Sequence, residues 1–499
     1  MADQVRQRGQ RSSTVTFEAL IIAGLLAGAG VIDALARPCR MALRSAAGLW
    51  LLACMTLALL GLFVVVCGSV AVAACMTLAI LILLLVASNA KHAMLGEPLL
   101  FSDLALIGAI FRHPQFYLSA VAVWQRVVAA IVAVILLGTL AWLFVPNALA
   151  HLAGLMLCLT SLGVLALSIR CAPLRRIAQV PDAAGDVQRH GLFATLLLYW
   201  LRWRESRDPP TCKDGPHQAP QDPVPGLIVV IQCESFADPA ELFGDPAQSL
   251  PGLCAAQANA FQWGQLRVSG FGAYTMRTEY GVLFGRDEDV LGFRRYDPFL
   301  TALGEASYAL PARLPHWRSL FVHPHDMRFY GRDRIMPAGG FAELVGEDRF
   351  TPPAPGEGRY VTDAAMADTI LDLAEKADGP SLIYAVTIEN HGPWAPEGAQ
   401  GGGDLKQSYL RLARNSDAML TALQTGLARL GRPALLVFFG DHRPSIPGAT
   451  MPGGDRHTPY VMLRLDATGR ILSGDNRRVD LTPAGLHHAV LDTVLGARL

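Results

Sequence analysis

Charge is scarce in this chain: Asp, Glu, Lys and Arg make up only 17% of 499 residues, and 42 basic side chains are matched by 42 acidic ones. With no net charge and no basic stripe, the electrostatic footprint of a nucleic-acid binder is missing. There is no CxxC zinc framework and no internal repeat. Cysteine is thin where it would have to build disulfides. Six of nine (Cys39, Cys54, Cys67, Cys75, Cys158, Cys171) lie in or beside the apolar first third, leaving Cys212, Cys233 and Cys254 for the rest. What takes the place of charge is apolar surface, 52% of residues, too much for a wholly soluble enzyme. The length allows two or three domains, one of them in a membrane.

Residues 1–16 are a polar lead with Arg6, Arg8 and Arg11. Apolar runs follow near 17–36, 47–67, 69–88, 125–145 and 149–169, each about the 20 residues that span a bilayer as helix. The first carries Glu18 and Asp33 and reads as an anchor, since no small-residue cleavage site follows it. The membrane domain is thus expected over 17–170, with five spans. Charge pulls the other way: five spans place Arg37, Arg40, Arg44, Arg170, Arg175 and Arg176 outside, whereas four would keep them inside. A juxtamembrane segment, 171–225, holds an amphipathic stretch at 193–204, expected on the membrane surface, and a Pro-rich linker at 205–225.

From residue 226 to 499 the pattern changes to buried-strand runs (GLIVVIQCES, SLFVHP, SLIYAVTIEN, ALLVFFGDH, TPYVMLRL) separated by helical segments near 363–377, 405–430 and 483–497. That is the signature of an α/β domain with a mostly parallel sheet, where ligands sit at the carboxyl ends of strands. Those ends carry Glu234, His391, Asp441 and His442. Thr275, in SGFGAYTMRTEYG, sits where a Gly-rich loop meets a helix start, beside free backbone N–H groups that favour anions. Two carboxylates, an imidazole and a hydroxyl suit Mn²⁺, Mg²⁺ or Zn²⁺, and a metal at Thr275 would favour its alkoxide. Taken singly, an Asp–His pair is a polar loop start and Thr275 an N-cap; their coincidence at successive strand ends carries the functional reading. A second group, His323, His325, Tyr330 and Arg332, with His391, has the chemistry of a phosphate cradle. His457, just before the last strand run, either lines the site or caps its loop.

In order and combination, IQCESF, GFGAYTMRTEYG, the FYGR segment after His323, TIENHGPW, FFGDHRP and RHTP resemble the lipoteichoic acid synthase and phosphoglycerol transferase family of the alkaline phosphatase/sulfatase superfamily. The resemblance implies an α-helical membrane domain followed by an extracytoplasmic, sulfatase-like α/β domain. It implies one divalent metal, Mn²⁺ foremost, on Glu234, Thr275, Asp441 and His442, with Thr275 the nucleophile. His323, Tyr330, Arg332 and His391 would bind phosphoglycerol, and Tyr330 stands where lipoteichoic acid synthases have Trp. The implied donor is phosphatidylglycerol and the implied acceptor an envelope glycan or polymer, at the outer face of a bacterial inner membrane. This expectation overrides the arginine count. Rival readings are a phosphoethanolamine transferase, a sulfatase or phosphatase acting with water, and an inactive membrane-anchored binding protein. CAPLR at Cys171–Arg175 matches the formylglycine pattern of sulfatases literally, but far from the strand ends that carry the other groups.

Overall fold

Three runs without one exposed residue, Leu227–Cys233 (β1), Ser381–Val386 (β5) and Ala434–Gly440 (β6), lie side by side in parallel in the order β5-β1-β6. A strand covered on both faces is apolar along most of its length, which is why these segments read as near-continuous runs and not as alternation. The computed structural model describes residues 2–39, 43–104, 141–213, 215, 217–353, 358–394 and 404–497, with isolated positions between 127 and 139. Among them the sheet has eight strands, ordered β4-β3-β5-β1-β6-β7-β2-β8. The others are Gln262–Arg267 (β2), Arg318–Val322 (β3), Glu343–Val345 (β4), His457–Leu465 (β7) and Arg477–Arg478 (β8). Only β7 runs antiparallel to its neighbours β6 and β2, so the sheet is mixed but mostly parallel.

Helices Asp363–Glu375, Leu405–Arg429 and Pro483–Leu495 fall where expected. Met366, Ile370, Leu420 and Leu423 from the first two join Val229, Ile231, Leu436 and Phe438 in one core over a sheet face. Asp404, Thr362 and Thr482 cap the three helices by accepting from backbone N–H groups, so each start is set locally.

The chain divides into two compact units, Met1–Ser206 and Arg207–Leu499. In the first, four helices among the described residues are long and apolar enough to cross a membrane: Thr16–Ala34, Ala46–Cys67, Val70–Leu95 and Ala148–Arg170. The expected run at 125–145 lies largely outside the described residues. Leu83, Leu149, Leu152 and Leu167 point outward from these helices, as lipid-facing side chains would. Ala46–Cys67 and Ala148–Arg170 approach closely at Gly61 and Gly154, where a Cβ on Gly61 would lie 2.5 Å from the Cys158 amide nitrogen.

The amphipathic stretch forms the helix Leu192–Glu205. It was expected on the membrane surface, yet Phe193, Leu196, Ala194 and Leu198 pack against Leu52, Leu85, Leu51 and Cys54 of the long helices. Its apolar face is satisfied by protein. One of the troublesome arginines is also internal: Arg44 pairs with Asp33 at 3.4 Å, both buried, and donates to the Asp33 carbonyl. A neutralised pair drops out of the loop-charge balance that argued for a cytoplasmic C-terminal unit.

Candidate functional site

Glu234 follows β1, His391 follows β5, and Asp441 and His442 follow β6, so three adjacent central strands deliver them to one sheet edge. Ligand atoms of Glu234, Asp441 and His442 all lie within 4.8 Å of one another, and all three residues are buried. His442 Nε2 is 3.5 Å from Glu234 Oε1 and 3.5 Å from Asp441 Oδ2. The backbone holds the constellation: the Ser235 and His442 amides both donate to Asp441 Oδ1 at 2.8 Å, and the Glu234 amide donates to Thr387 Oγ1 at 3.0 Å. His442 Nδ1 lies 3.1 Å from the Arg443 carbonyl, a contact in which Nδ1–H donates and Nε2 is turned to the carboxylates.

Asp441 Oδ2 is buried without a hydrogen-bond partner. Burial and the neighbouring Glu234 push the Asp441 carboxyl up to about 7, against the lowering effect of His442 and of the Thr275 hydroxyl beside it. Burial would lower His442, but Asp441 and Glu234 outweigh it and raise its pKa. Two facing carboxylates, an orphaned oxygen and an oriented imidazole form a donor set that fits a divalent cation.

Thr275 opens the helix Thr275–Phe284, whose ten residues are all buried. The preceding residue, Tyr274, takes the left-handed conformation (φ 78°) and lies under the Arg277 guanidinium at 3.8 Å. Gly272 also has positive φ, and a Cβ there would meet Ser445 Cβ at 2.2 Å, so the loop presses against the segment after His442. Thr278 Oγ1 donates to the Asp441 carbonyl at 2.7 Å, fixing this helix to the end of β6.

The second group is held together by partners inside the domain. Arg332 is buried and donates from Nε to Glu279 Oε1 at 2.9 Å and from Nη2 to Glu279 Oε2 at 2.6 Å. His323 Nε2 lies 3.1 Å from Arg332 Nη1, and His323 Nδ1 lies 3.0 Å from the Val386 carbonyl. Burial, then Arg332, hold His323 well below its ordinary pKa, so it is a neutral acceptor supporting Arg332. Tyr330, at φ 61°, places its ring 5.3 Å from the Arg332 guanidinium carbon. His391 is exposed, with Nδ1 2.6 Å from the Gly392 carbonyl and its ring against Tyr360. His457 is engaged elsewhere, by Glu241 and by Arg443 Nη2 at 2.7 Å. Glu279, Gln232 and Tyr360 escaped the sequence reading. The one available signal was the four-residue spacing of Thr275 and Glu279, which puts both on one helix face.

Behind His391, Glu389 accepts from the Asp363 amide at 2.7 Å and from Asn415 Nδ2 at 2.8 Å. Burial, then Glu389, push Asp363 from 3.8 up to about 7, with a hydrogen bond from Ser416 opposing. The folded value lies above the unfolded one, so this group's contribution is favourable below about pH 4 and is lost as pH rises to about 7. The full loss is roughly 4 kcal/mol. Asp363→Asn is therefore expected to flatten the fall in thermal midpoint between pH 4 and 7, measured on detergent-solubilised protein. Parallel pH profiles for variant and parent would show that Asp363 ionises freely.

A sulfatase family model matches residues 227–491. The capsular polysaccharide biosynthesis protein RkpI of Rhizobium meliloti (strain 1021) is 29% identical over 433 residues, covering 81% of this chain and 79% of that protein. The phosphoglycerol transferase GacH of Streptococcus pyogenes, solved with sn-glycerol-1-phosphate, superposes with a TM-score of 0.43 at 16% identity, over 55% of this chain and 75% of that one. The zinc complex of the periplasmic domain of Escherichia coli EptC gives 0.41 at 15% identity, over 58% and 86%.

Proposed function

The chain belongs to the sulfatase family, and we propose that it is a membrane-anchored, metal-dependent transferase that moves phosphoglycerol from phosphatidylglycerol, through Thr275, to an envelope glycan. The observation that carries this reading is a buried helix-start threonine hydroxyl beside Asp441, whose second carboxylate oxygen is unpartnered within reach of Glu234 and His442. Glu234, Asp441, His442 and Thr275 would hold a divalent cation, Mn²⁺ foremost, which supplies positive charge that favours the threonine alkoxide and offsets charge on the phosphoryl oxygens. Thr275 Oγ attacks the lipid phosphorus, forming one P–O bond as the bond to diacylglycerol breaks. His391 Nε2 protonates the departing oxygen, its Nδ1 being committed to the Gly392 carbonyl. An acceptor hydroxyl, deprotonated by the same nitrogen, then displaces Thr275. Arg332 offers N–H donors to the non-bridging oxygens.

The name of the relative, a capsular polysaccharide biosynthesis protein, supports a surface glycan as acceptor. Phosphatidylglycerol headgroups and such glycans meet at the outer face of a cell membrane, so the C-terminal unit works outside, a topology that the internal Arg44–Asp33 pair eases.

The test is incubation of the full chain in detergent with a fluorescent phosphatidylglycerol and Mn²⁺. Metal-dependent release of diacylglycerol is expected. Release from phosphatidylethanolamine in its place makes the protein a phosphoethanolamine transferase, and release of free glycerol phosphate in the presence of glycan makes it a hydrolase.

A further inference from the structure

Arg332 has five N–H donors. Glu279 takes two and His323 Nε2 a third, leaving one N–H on each terminal nitrogen. The arginine therefore reaches a phosphoryl group with donors but with little net charge, because its positive charge is already matched by a carboxylate as buried as itself. Glu279 is fixed in turn: Gln232 Nε2 donates to its Oε2 at 3.3 Å, and Tyr384 holds Gln232 by donating to its Oε1 at 2.7 Å. Glu279 also stands one helical turn after Thr275 on the same helix, so the arginine's partner and the attacking hydroxyl move as one body. The pair is also tied to the carboxylate cluster through β1, since Gln232 stands two residues before Glu234. Burying such a pair is no route to stability, as desolvation of both ions offsets their attraction. Its use lies in what it presents to substrate.

We propose that Glu279 is a specificity residue: by cancelling the charge of Arg332 while leaving two of its N–H donors free, it sets the site to singly charged phosphodiesters and against doubly charged phosphomonoesters. An uncompensated buried guanidinium would attract a dianion about twice as strongly as a monoanion, since the energy scales with the product of charges. The inference rests on the transferase reading above and extends it. In that reaction the lipid, the threonine-linked species and the glycan product are all phosphodiesters with one charge. Attack by water would instead give a phosphomonoester and a second charge.

The experiment compares kcat/KM for bis(para-nitrophenyl) phosphate and para-nitrophenyl phosphate on the full chain. Glu279→Gln is expected to narrow the diester preference by about tenfold, chiefly by raising relative activity on the monoester. Glu279→Asp, which keeps the charge but shortens the reach, is expected to lower both rates and keep the preference within about twofold. Equal losses on both probes in Glu279→Gln would show that Glu279 merely shapes Arg332, and the proposal falls. Phosphorus NMR on the unaltered protein gives a readout that needs neither turnover nor a folded variant. Dimethyl phosphate is expected to bind at least as tightly as methyl phosphate, and tighter binding of the dianion overturns the idea. An unaltered protein that cleaves phosphatidylglycerol while preferring the monoester probe sinks only this inference. One that cleaves no phosphoester sinks the transferase reading and this inference with it.

Discussion

Thr275→Ala is expected to abolish diacylglycerol release, by on the order of a thousandfold or more, the scale at which removal of a covalent nucleophile acts. The alanine keeps the helix start, and Asp441 stays held by the Ser235 and His442 amides while losing the hydroxyl beside it. Three of the four groups that would hold the cation remain, so cation binding should weaken without vanishing in the dead enzyme, which separates loss of the nucleophile from loss of the site. Thr275→Ser retains a hydroxyl and should keep measurable turnover. A direct check is the mass of the peptide bearing Thr275 after a short incubation with lipid and no acceptor, which should gain one glycerophosphoryl group. An alanine variant that releases diacylglycerol at the parental rate would mean that the acceptor or water attacks the lipid directly.

Much of this architecture can be read before any coordinates are seen, and the reason is burial. Strands β1, β5 and β6 lie wholly inside, so their sequences are mostly apolar, and β1 and β6 stop directly at the acidic residues Glu234 and Asp441. Strand β2 was missed because two of its three buried positions are Gln262 and Gly264, which give no apolar signal. Strands β4 and β8 are three and two residues long, too short for any pattern. Pairing across distance is the other blind spot. Arg332 looks like a free cation until Glu279, 53 residues earlier, is seen to take two of its donors. The partner of His457, Glu241, stands 216 residues earlier in the chain. Composition reports which residues avoid water; it does not report which charges find one another.

The second large effect concerns the cation. Glu234 and Asp441 face each other in a buried site, and without a positive ion their repulsion is relieved by the His442 imidazole, by protons and by the amide and hydroxyl donors around them. Chelation is therefore expected to reduce lipid turnover to background and to lower the thermal midpoint. A cation present at a hundred times its dissociation constant stabilises by about 2.7 kcal/mol, which for a unit of this size is a shift of roughly 5–10 °C. Asp441→Asn separates the two halves of that argument. It removes the repulsion, so the metal-free variant should melt no lower than the metal-free parent at pH 8, yet it also removes a ligand, so Mn²⁺ should shift its midpoint little. Turnover should fall with it, since Thr275 loses the carboxylate beside its hydroxyl as well. If the parent melts at the same temperature with and without Mn²⁺, the unpartnered Oδ2 has some other purpose, and the phosphoryl chemistry must draw its positive charge from Arg332, which Glu279 has already spoken for.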